Sequence, residues 1–517
     1  MTILVHNKQK VIGVFDKNFQ NKQQSISENF SEALFQLAKL HPGEVVIWCE
    51  EKYFAQIAFE QILTLFHHDK MMLSFAISRD YYFSDLLEYI DQSPFARISH
   101  SSRSATWIMS ADIGLVHASV LNVLSPSDFF HRDANYFLSS LAKMLMPLGL
   151  MCYSEPALCQ VVLKNNAEIV KASLFQHAKF IAQHYRHRWL LLFTLNLFIY
   201  DKIFSLLPII ASLVYRQKRI NSNLLDCIVL EKSKVLLSSK TIDVLIPTLG
   251  RKDYLFAFLI DLSEQTLLPK NVIIIEQPID GQLESQLPFL VSQKWPFVIK
   301  HAFINQRGVC NARNLGLSMV SSDWVFFGDD DIRVENDFLE GILQKSLDFS
   351  NGVITASCLQ VIEQQKLRTT AQWPTFGAGC SLVKANLLVG LKFNMGYEFG
   401  YGEDDDFGLQ LRSKGLDVLY VPNPAILHLK APIGGFRCKP VLAWSKDLIQ
   451  PKPSPTILLK FLLHNSEKQL LGYKTILFLK LMLKNKSFNS HKFFKLFVLQ
   501  WNQSMLWAKK LKVQTSY

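Results

Sequence analysis

Two clusters of carboxylates are the residues of this chain best suited to chemistry. Asp329-Asp330-Asp331 directly follows the apolar run Trp324-Val325-Phe326-Phe327. Gly402-Glu403-Asp404-Asp405-Asp406-Phe407 opens a helical pattern that closes at Leu411-Arg412-Ser413-Lys414-Gly415. Three adjacent carboxylates repel one another, which costs stability unless a cation lies among them. A hard divalent ion held by one or two carboxylates completes its shell with water and phosphate oxygens. The first cluster therefore reads as a Mg²⁺ or Mn²⁺ site for a diphosphate, and its plainer alternative is a solvated acidic turn. Acids at a helix start are favoured by the helix dipole, and that alone accounts for the second cluster. Together the clusters fit a division of labour in which one binds metal and the other supplies a general base. Arg313, within Asn311-Ala312-Arg313-Asn314-Leu315-Gly316, has the reach for a phosphate, and His428 is a candidate third metal ligand. An exposed helix arginine and a structural histidine are the ordinary alternatives.

These residues need a scaffold, and residues 241–430 provide one. The strand-like runs Val244-Leu245-Ile246, Val272-Ile273-Ile274-Ile275 and Trp324-Val325-Phe326-Phe327 are separated by helical patterns over Tyr254–Gln265 and Cys310–Met319. Strands alternating with helices predict a parallel sheet with right-handed crossovers. Each run ends in polar or turn residues: Pro247-Thr248-Leu249-Gly250, Glu276-Gln277-Pro278 and Gly328-Asp329-Asp330-Asp331. Ligands of open α/β sheets bind outside the carboxyl ends of the strands, so these three strings line one crevice.

The order of motifs resembles family 2 glycosyltransferases, which have a GT-A fold. The strings that carry the resemblance are Ile246-Pro247-Thr248, Ala312-Arg313-Asn314, Asp329-Asp330-Asp331, Gly402-Glu403-Asp404, and Tyr420-Val421-Pro422 with His428. A subgroup marked by Gln372-Trp373-Pro374-Thr375-Phe376-Gly377 and Leu429–Phe436 is also similar. The resemblance implies transfer of a sugar from a nucleotide diphosphate sugar, with inversion. It implies that Asp331 and Asp329 hold Mn²⁺ or Mg²⁺ on the donor diphosphate and that His428 closes the metal site. Asp404, beside Glu403, would deprotonate the acceptor hydroxyl. Pro247, Thr248 and Arg251 would line the nucleotide pocket, with Arg313, Asp329 and Asp330 also on the donor. The family carries an Asp-rich string after the second strand, where an Asp meets the base. This chain has Glu276-Gln277-Pro278, and Glu276 is the substitute.

The rest of the chain sets boundaries. Among 517 residues, 49% are hydrophobic and 19% charged, which excludes disorder and low complexity. Eight scattered cysteines with no C-x-x-C pair exclude a zinc ribbon and a secreted disulfide scaffold, and point to reduced thiols in the cytoplasm. Residues 1–20 hold no apolar core of a signal peptide. From Lys446 to Tyr517 there are thirteen lysines and two acids, which is the whole net charge of +11. A uniformly basic nucleic-acid-binding body is thereby excluded. We expect four parts: an α/β domain over 1–180, an apolar and basic helical linker over 181–235, a catalytic GT-A-like domain over 236–440 and a basic amphipathic helical tail over 441–517.

In the first part, strands are expected at Glu44–Trp48 and Asp112–Val116 and a helix at Ser31–Leu40. Gly114–Leu121 matches Ser381–Leu388 at four of eight positions, 267 residues apart, and Trp107 and Trp373 are 266 apart. A steady offset predicts two related domains, the first a degenerate copy. At that offset the counterpart of Asp329 falls near Phe66-His67-His68-Asp69. In the linker, the apolar runs Trp189–Tyr200 and Ile203–Tyr215 lie between Arg186, Arg188 and Arg216-Gln217-Lys218-Arg219. Both are too short to span a bilayer, and they suit a segment in the membrane interface or a pair of buried helices. The tail reads as a membrane-surface element or a helical cap. The function expected is a glycosyltransferase peripheral on the inner face of the cell membrane, acting on a glycan or lipid-linked acceptor and on no nucleic acid. The alternatives are a non-catalytic carbohydrate- or nucleotide-binding protein and a sugar nucleotidyltransferase. The latter's Gly-rich phosphate loop is missing from this sequence.

Overall fold

The β-branched and aromatic runs of the sequence become the inner strands of two sheets. The computed structural model describes all residues except 19, 23–24, 78–79, 161–170, 280, 433–440, 485–489 and 515–517. The subgroup string Leu429–Phe436 therefore lies partly outside the described residues. The chain forms two units, residues 1–231 with 466–480, and residues 232–465 with 481–517.

The second unit carries a mixed sheet of β8 (Ile242–Leu249), β9 (Asn271–Gln277), β10 (Val298–Phe303), β11 (Trp324–Gly328), β12 (Ile332–Val334), β13 (Val353–Leu359), β14 (Ala371–Gln372), β15 (Cys380–Lys384) and β16 (Leu419–His428). Its order is β10-β9-β8-β11-β15-β13-β16-β12, with β14 on β16. Strands β10, β9, β8 and β11 run parallel. The crossovers between them include the helices Lys252–Ser263 and Val309–Ser318. Strands β8, β9 and β11 are buried on both faces, which is why their sequences are continuous apolar runs. Asp243, fully buried in β8, is an exception with a use: it accepts hydrogen bonds from Asn271, the Ser321 and Ser322 amides and the Ser322 hydroxyl, tying β8 to β9 and to the turn before β11.

The first unit carries β1 (Thr2–Asn7), β2 (Lys10–Asp16), β3 (Val45–Glu50), β4 (Met71–Phe75), β5 (Ser104–Ala105), β6 (Ile113–His117) and β7 (Met151–Ser154), ordered β2-β1-β3-β6-β4-β7-β5. The expected helix is Phe30–Leu40. Strand pairings recur between the units with the same sense. β1/β3 and β8/β11 are parallel, β3/β6 and β11/β15 antiparallel, and β4/β6 and β13/β15 antiparallel. β4/β7 and β13/β16 are parallel, and β5/β7 and β14/β16 antiparallel.

This register corrects one expectation. Cys49 pairs with Ile113 as Gly328 pairs with Cys380. The offset is 267 residues at β6 and β15 but 279 at β3 and β11, because the connection from β4 to β5 is longer than that from β13 to β14. The place of Asp329-Asp330-Asp331 is thus taken by Glu50-Glu51-Lys52, and Phe66–Asp69 precede β4 instead. The supporting contact recurs as well. Asn7 at the end of β1 donates to Glu51 at 2.7 Å, as Thr248 near the end of β8 donates to Asp330 at 2.7 Å. One element does not recur. After β1 the chain turns through Lys8 and Gln9, both at positive φ, into antiparallel β2, where the second unit crosses over by a helix to parallel β9.

The linker and tail are helical. Arg188–Asn196, a π-turn at Leu197–Asp201 and Leu207–Ser212 lie in the first unit, with Leu190, Phe193 and Leu197 in its core. In the tail, Pro455–His464 packs on Ser490–Gln514 within the second unit, burying Leu458 and Leu459 on one helix and Phe497 and Trp501 on the other. Among the described residues no helix is long and apolar enough to cross a membrane.

Gly114 shows how tightly the first sheet is filled. A Cβ there would lie 2.2 Å from the Trp48 ring and 2.6 Å from the Leu73 carbonyl oxygen, whereas one at Gly43 would meet nothing within 4 Å. Overpacking of this kind costs about 1–3 kcal/mol. Gly114→Ala is expected to lower the melting temperature of the first unit by several degrees, and Gly43→Ala to leave it nearly unchanged, as read by calorimetry.

Candidate active site

The site lies outside the carboxyl ends of β8 and β11. β11 delivers the acidic turn, and its three carboxylates meet three different fates. Asp330 is buried. It accepts from the Thr248 hydroxyl at 2.7 Å and from the Arg251 guanidinium at 2.6 Å. Burial pushes its carboxyl up to about 6, against the pull of Arg251 and Thr248. Asp331 accepts from the Ala431 amide at 2.8 Å, lies 3.6 Å from His428 Nε2 and 3.3 Å from Arg251. Burial raises its carboxyl, but His428, Arg251 and the Ala431 amide outweigh burial and hold it down at about 2. Asp331 and His428 meet because β12, directly after the turn, pairs Ile332 with His428 of β16. Asp329 opens to the cleft instead and pairs with Arg313 at 3.4 Å.

Arg313 is the centre of the arrangement. It is 4% exposed on the helix Val309–Ser318, with its guanidinium 5.3 Å from the Phe393 ring. One terminal nitrogen faces Asp329 at 3.4 Å. The other faces Asp404 at 3.4 Å and Glu403 at 3.9 Å. Glu403 and Asp404 begin the helix Glu403–Ser413, after Gly402 in the left-handed region at φ 108°. Burial and neighbouring carboxylates push both acids up, with Arg313 opposing. The rest of that acidic cluster faces away: Lys460 holds Asp405 at 2.8 Å and His464 holds Asp406 at 2.7 Å, both from the first tail helix. Glu403 and Asp404 are therefore the two acids of the cluster paired with Arg313.

Two cavities adjoin these groups. One of 490 Å³ is lined by Pro247, Thr248, Arg251, Arg313, Asp329, Asp330 and Glu403. One of 210 Å³, at the ends of β8 and β9, is lined by Thr248, Arg251, Tyr254, Glu276 and Gln282. Glu276 is buried, and four groups of the chain meet its carboxylate: Gln282, Ser285, the Gln286 amide and His301, at 2.5 to 3.0 Å. Burial raises its carboxyl, and those contacts more than reverse the rise. Glu276 thus ties down the 282–286 loop on the cavity wall.

Residues 243–401 match the model of glycosyl transferase family 2. This segment is a family 2 glycosyltransferase domain. No curated protein matches the chain. Among solved structures, S. aureus TarS 1–349 is 18% identical, with a TM-score of 0.31 over 36% of this chain and 59% of that one. TarS 1–349 in complex with UDP-GlcNAc is 15% identical, with a TM-score of 0.35 over 53% of this chain and 89% of that one. GalNAc-T7 with UDP, GalNAc and Mn²⁺ is 15% identical, with a TM-score of 0.32 over 37% and 44%. The chain spans less than two thirds of the length of the first of these.

Of the expected metal ligands of the family 2 domain, Asp331 and His428 come together. Asp329 is turned to Arg313, since the buried guanidinium requires a second counter-charge. Among the described residues no three His, Cys, Asp or Glu side chains gather to hold a metal ion. A Mg²⁺-like ion is normally held by one or two carboxylates plus water and phosphate; Asp331 is one carboxylate of that kind, and His428 beside it is a nitrogen donor outside that pattern. The sequence reading missed Glu398. It accepts from the Cys310 and Asn311 amides at 3.2 and 2.9 Å and so caps the helix that carries Arg313. It also missed Gly379, where a Cβ would lie 2.2 Å from Asp329. Neither sits in a motif, and only the tertiary fold brings them near.

Removing Arg313 strands three carboxylates. Breaking a buried ion pair from one side costs about 3–5 kcal/mol, and the partial exposure of Asp329 and Asp404 reduces this to about 1–3. Arg313→Gln is expected to lower the melting temperature of the second unit accordingly. Arg313→Lys should recover part of the loss, because a point charge cannot serve both acids. Thermal unfolding of the three proteins at pH 7 checks it.

Proposed function

We propose that this chain is a metal-dependent, inverting glycosyltransferase that moves a sugar from a nucleotide diphosphate sugar to a hydroxyl of a glycan or lipid-linked acceptor in cell-surface glycan assembly. The observation that carries the reading is Arg313, standing between Asp329 of the acidic turn and Asp404 of the helix opposite. That arrangement joins a group suited to phosphate and a group suited to taking a proton. The acceptor would lie near the inner face of the cell membrane.

Asp404 is the base. Its raised proton affinity suits uptake of a proton from the attacking hydroxyl near neutral pH. When Asp404 takes that proton, the charge on Arg313 loses one of its balancing carboxylates. Arg313 then faces the departing diphosphate with more of its charge uncompensated, as negative charge grows there. Thr248 and Arg251 fix Asp330, and Arg251 also stands 3.3 Å from Asp331. Asp331 and His428 would hold the divalent ion, which when bound offsets charge on the diphosphate. The 210 Å³ cavity beside Thr248 and Arg251 receives the nucleoside. Glu276 acts there through the loop it holds.

Thermal unfolding with UDP, GDP, CDP, dTDP and ADP, each with and without Mn²⁺, tests the donor site. A ligand at about a hundred times its dissociation constant adds about 2.7 kcal/mol. One nucleotide is expected to shift the curve in the presence of Mn²⁺, and Asp331→Asn to abolish the shift. Calorimetric titration should give one nucleotide per chain, since the first unit has a hairpin where the crossover to β9 stands. Asp404→Asn is expected to keep that shift and lose transfer by about 10²–10⁴-fold. No shift with any nucleotide would leave the non-catalytic binding reading.

A further inference from the structure

In a water-soluble protein large apolar side chains scatter singly on the surface, and contiguous apolar patches mark contact sites. The first unit departs from this between residues 191 and 214. Leu191, Phe198, Phe204, Leu207, Ile210 and Leu213 are each more than half exposed, with Phe204 and Leu207 at 70%. Phe198 and Phe204 meet edge to face at 5.7 Å, so the side chains before and after the turn make one surface. The opposite face is fixed: Leu190, Phe193 and Leu197 are in the core, Asn196 accepts from Thr475 at 2.7 Å, and Tyr200 stacks on Tyr89. The apolar face is therefore a built part of the unit. It is not a loose segment awaiting a core.

Its margin is cationic. Arg186, Arg188, Lys202, Arg216 and Arg219 are exposed, and among the described residues none of them is in an ion pair. The Lys218 amide donates to the Gln183 carbonyl at 2.8 Å, so the arginines before the first helix and those after the second share one end of the hairpin. Trp189 and Tyr215 stand half-buried beside those arginines, where the apolar face meets the charge. The stretch has one acid, Asp201.

We propose that this face is a docking surface for a bilayer rich in anionic lipid, with Phe198, Phe204 and Leu207 entering the acyl boundary and the arginines meeting the headgroups. The proposal deepens, and rests on, the reading of a transferase whose acceptor lies at a membrane. An apolar face with a cationic margin and interfacial Trp and Tyr is the pattern that binds such a surface. The charge also argues against a second copy of this chain. In a two-fold interface the same patch meets itself, and these five cations would face their copies with a single acid, Asp201, on each side.

The test is sedimentation of the full chain with vesicles of phosphatidylcholine alone, and with vesicles that also contain phosphatidylglycerol, at low and high salt. Binding to the anionic vesicles is expected, weaker by about tenfold or more on neutral ones and at high salt. Phe204→Asp with Leu207→Asp should lose it, and so should Arg216→Glu with Arg219→Glu. Each pair is on the surface, so melting temperature and nucleotide release from the donor sugar should match the parent chain. A parent chain that stays in the supernatant with both vesicles, or aspartate variants that bind as well as it does, would overturn the proposal. So would a parent that is dimeric when the aspartate variant is monomeric, since the face would then be a self-interface. Vesicle binding without nucleotide release from any donor would instead overturn the transferase reading and leave the docking surface standing.

Discussion

A guanidinium that is almost wholly buried must be surrounded by counter-charge, and much of the second unit can be derived from that requirement at Arg313. It needs carboxylates on both of its terminal nitrogens, and the chain supplies them from elements far apart in sequence, the turn after β11 and the start of the helix at Glu403. Neither acidic cluster is comfortable alone. Three aspartates in a row repel, and so do four acids at the head of a helix. Placed on either side of one cation they stabilise each other's position. The cost of this design is dependence: the helix that carries Arg313 has to be held by Glu398 on its first amides, and the backbone at Gly379 has to approach Asp329 closely enough to exclude any side chain. In the proposed reaction the same balance would serve Asp404, because a carboxyl pressed upward by burial and by its acidic neighbours is suited to accept a proton.

The parts of this that were legible in the sequence are those set by local pattern. Continuous apolar runs at 244–246, 272–275 and 324–327 became doubly buried strands, since a parallel strand covered on both faces has no polar side to show. The turn residues after them line the cavities of the candidate site because that is where the strand ends deliver them. What local pattern cannot carry is direction. Five acids and a histidine read alike as metal or base, and only the register of β12 on β16 brings His428 to Asp331 while leaving Asp329 for Arg313. Position at the end of an apolar run suggests that Glu276 contacts the base, and the structure puts it inside β9 with its carboxylate turned to the chain. Its four contacts within the chain come from a loop and a strand that no spacing rule points to. Asp405 and Asp406 likewise belong to a cluster in sequence and to Lys460 and His464 in space.

The repeat is instructive for the same reason. A constant offset is a statement about chain length, and it fails wherever one copy has a longer connection. Sheet register is a statement about hydrogen bonds and does not drift. It puts Glu50-Glu51-Lys52 where the acidic turn stands in the other unit and recovers even the donor hydrogen bond to the middle acid. Lys52 then takes the position of Asp331, and its ammonium pairs with Glu50 at 3.1 Å. With a lysine in the third place, the turn holds two carboxylates and supplies a cation of its own.

The two units thereby differ in what their ends of sheet can do. In the second, the crossover from β8 to β9 creates a recess between two parallel strand ends, which is the place an open α/β sheet offers a ligand. In the first, a two-residue turn sends the chain straight back as β2, and a hairpin leaves no such recess. Loss of the crossover removes the counterparts of Arg251 and Glu276 together, whereas the half of the sheet from β3 to β5 keeps its pairings intact. Selection for packing alone explains why the retained half stays apolar and tight, as Gly114 under Trp48 illustrates. It does not explain an apolar face left open to solvent beside five cations that, among the described residues, are in no ion pair, and a contiguous patch of that kind on a folded unit marks a contact site.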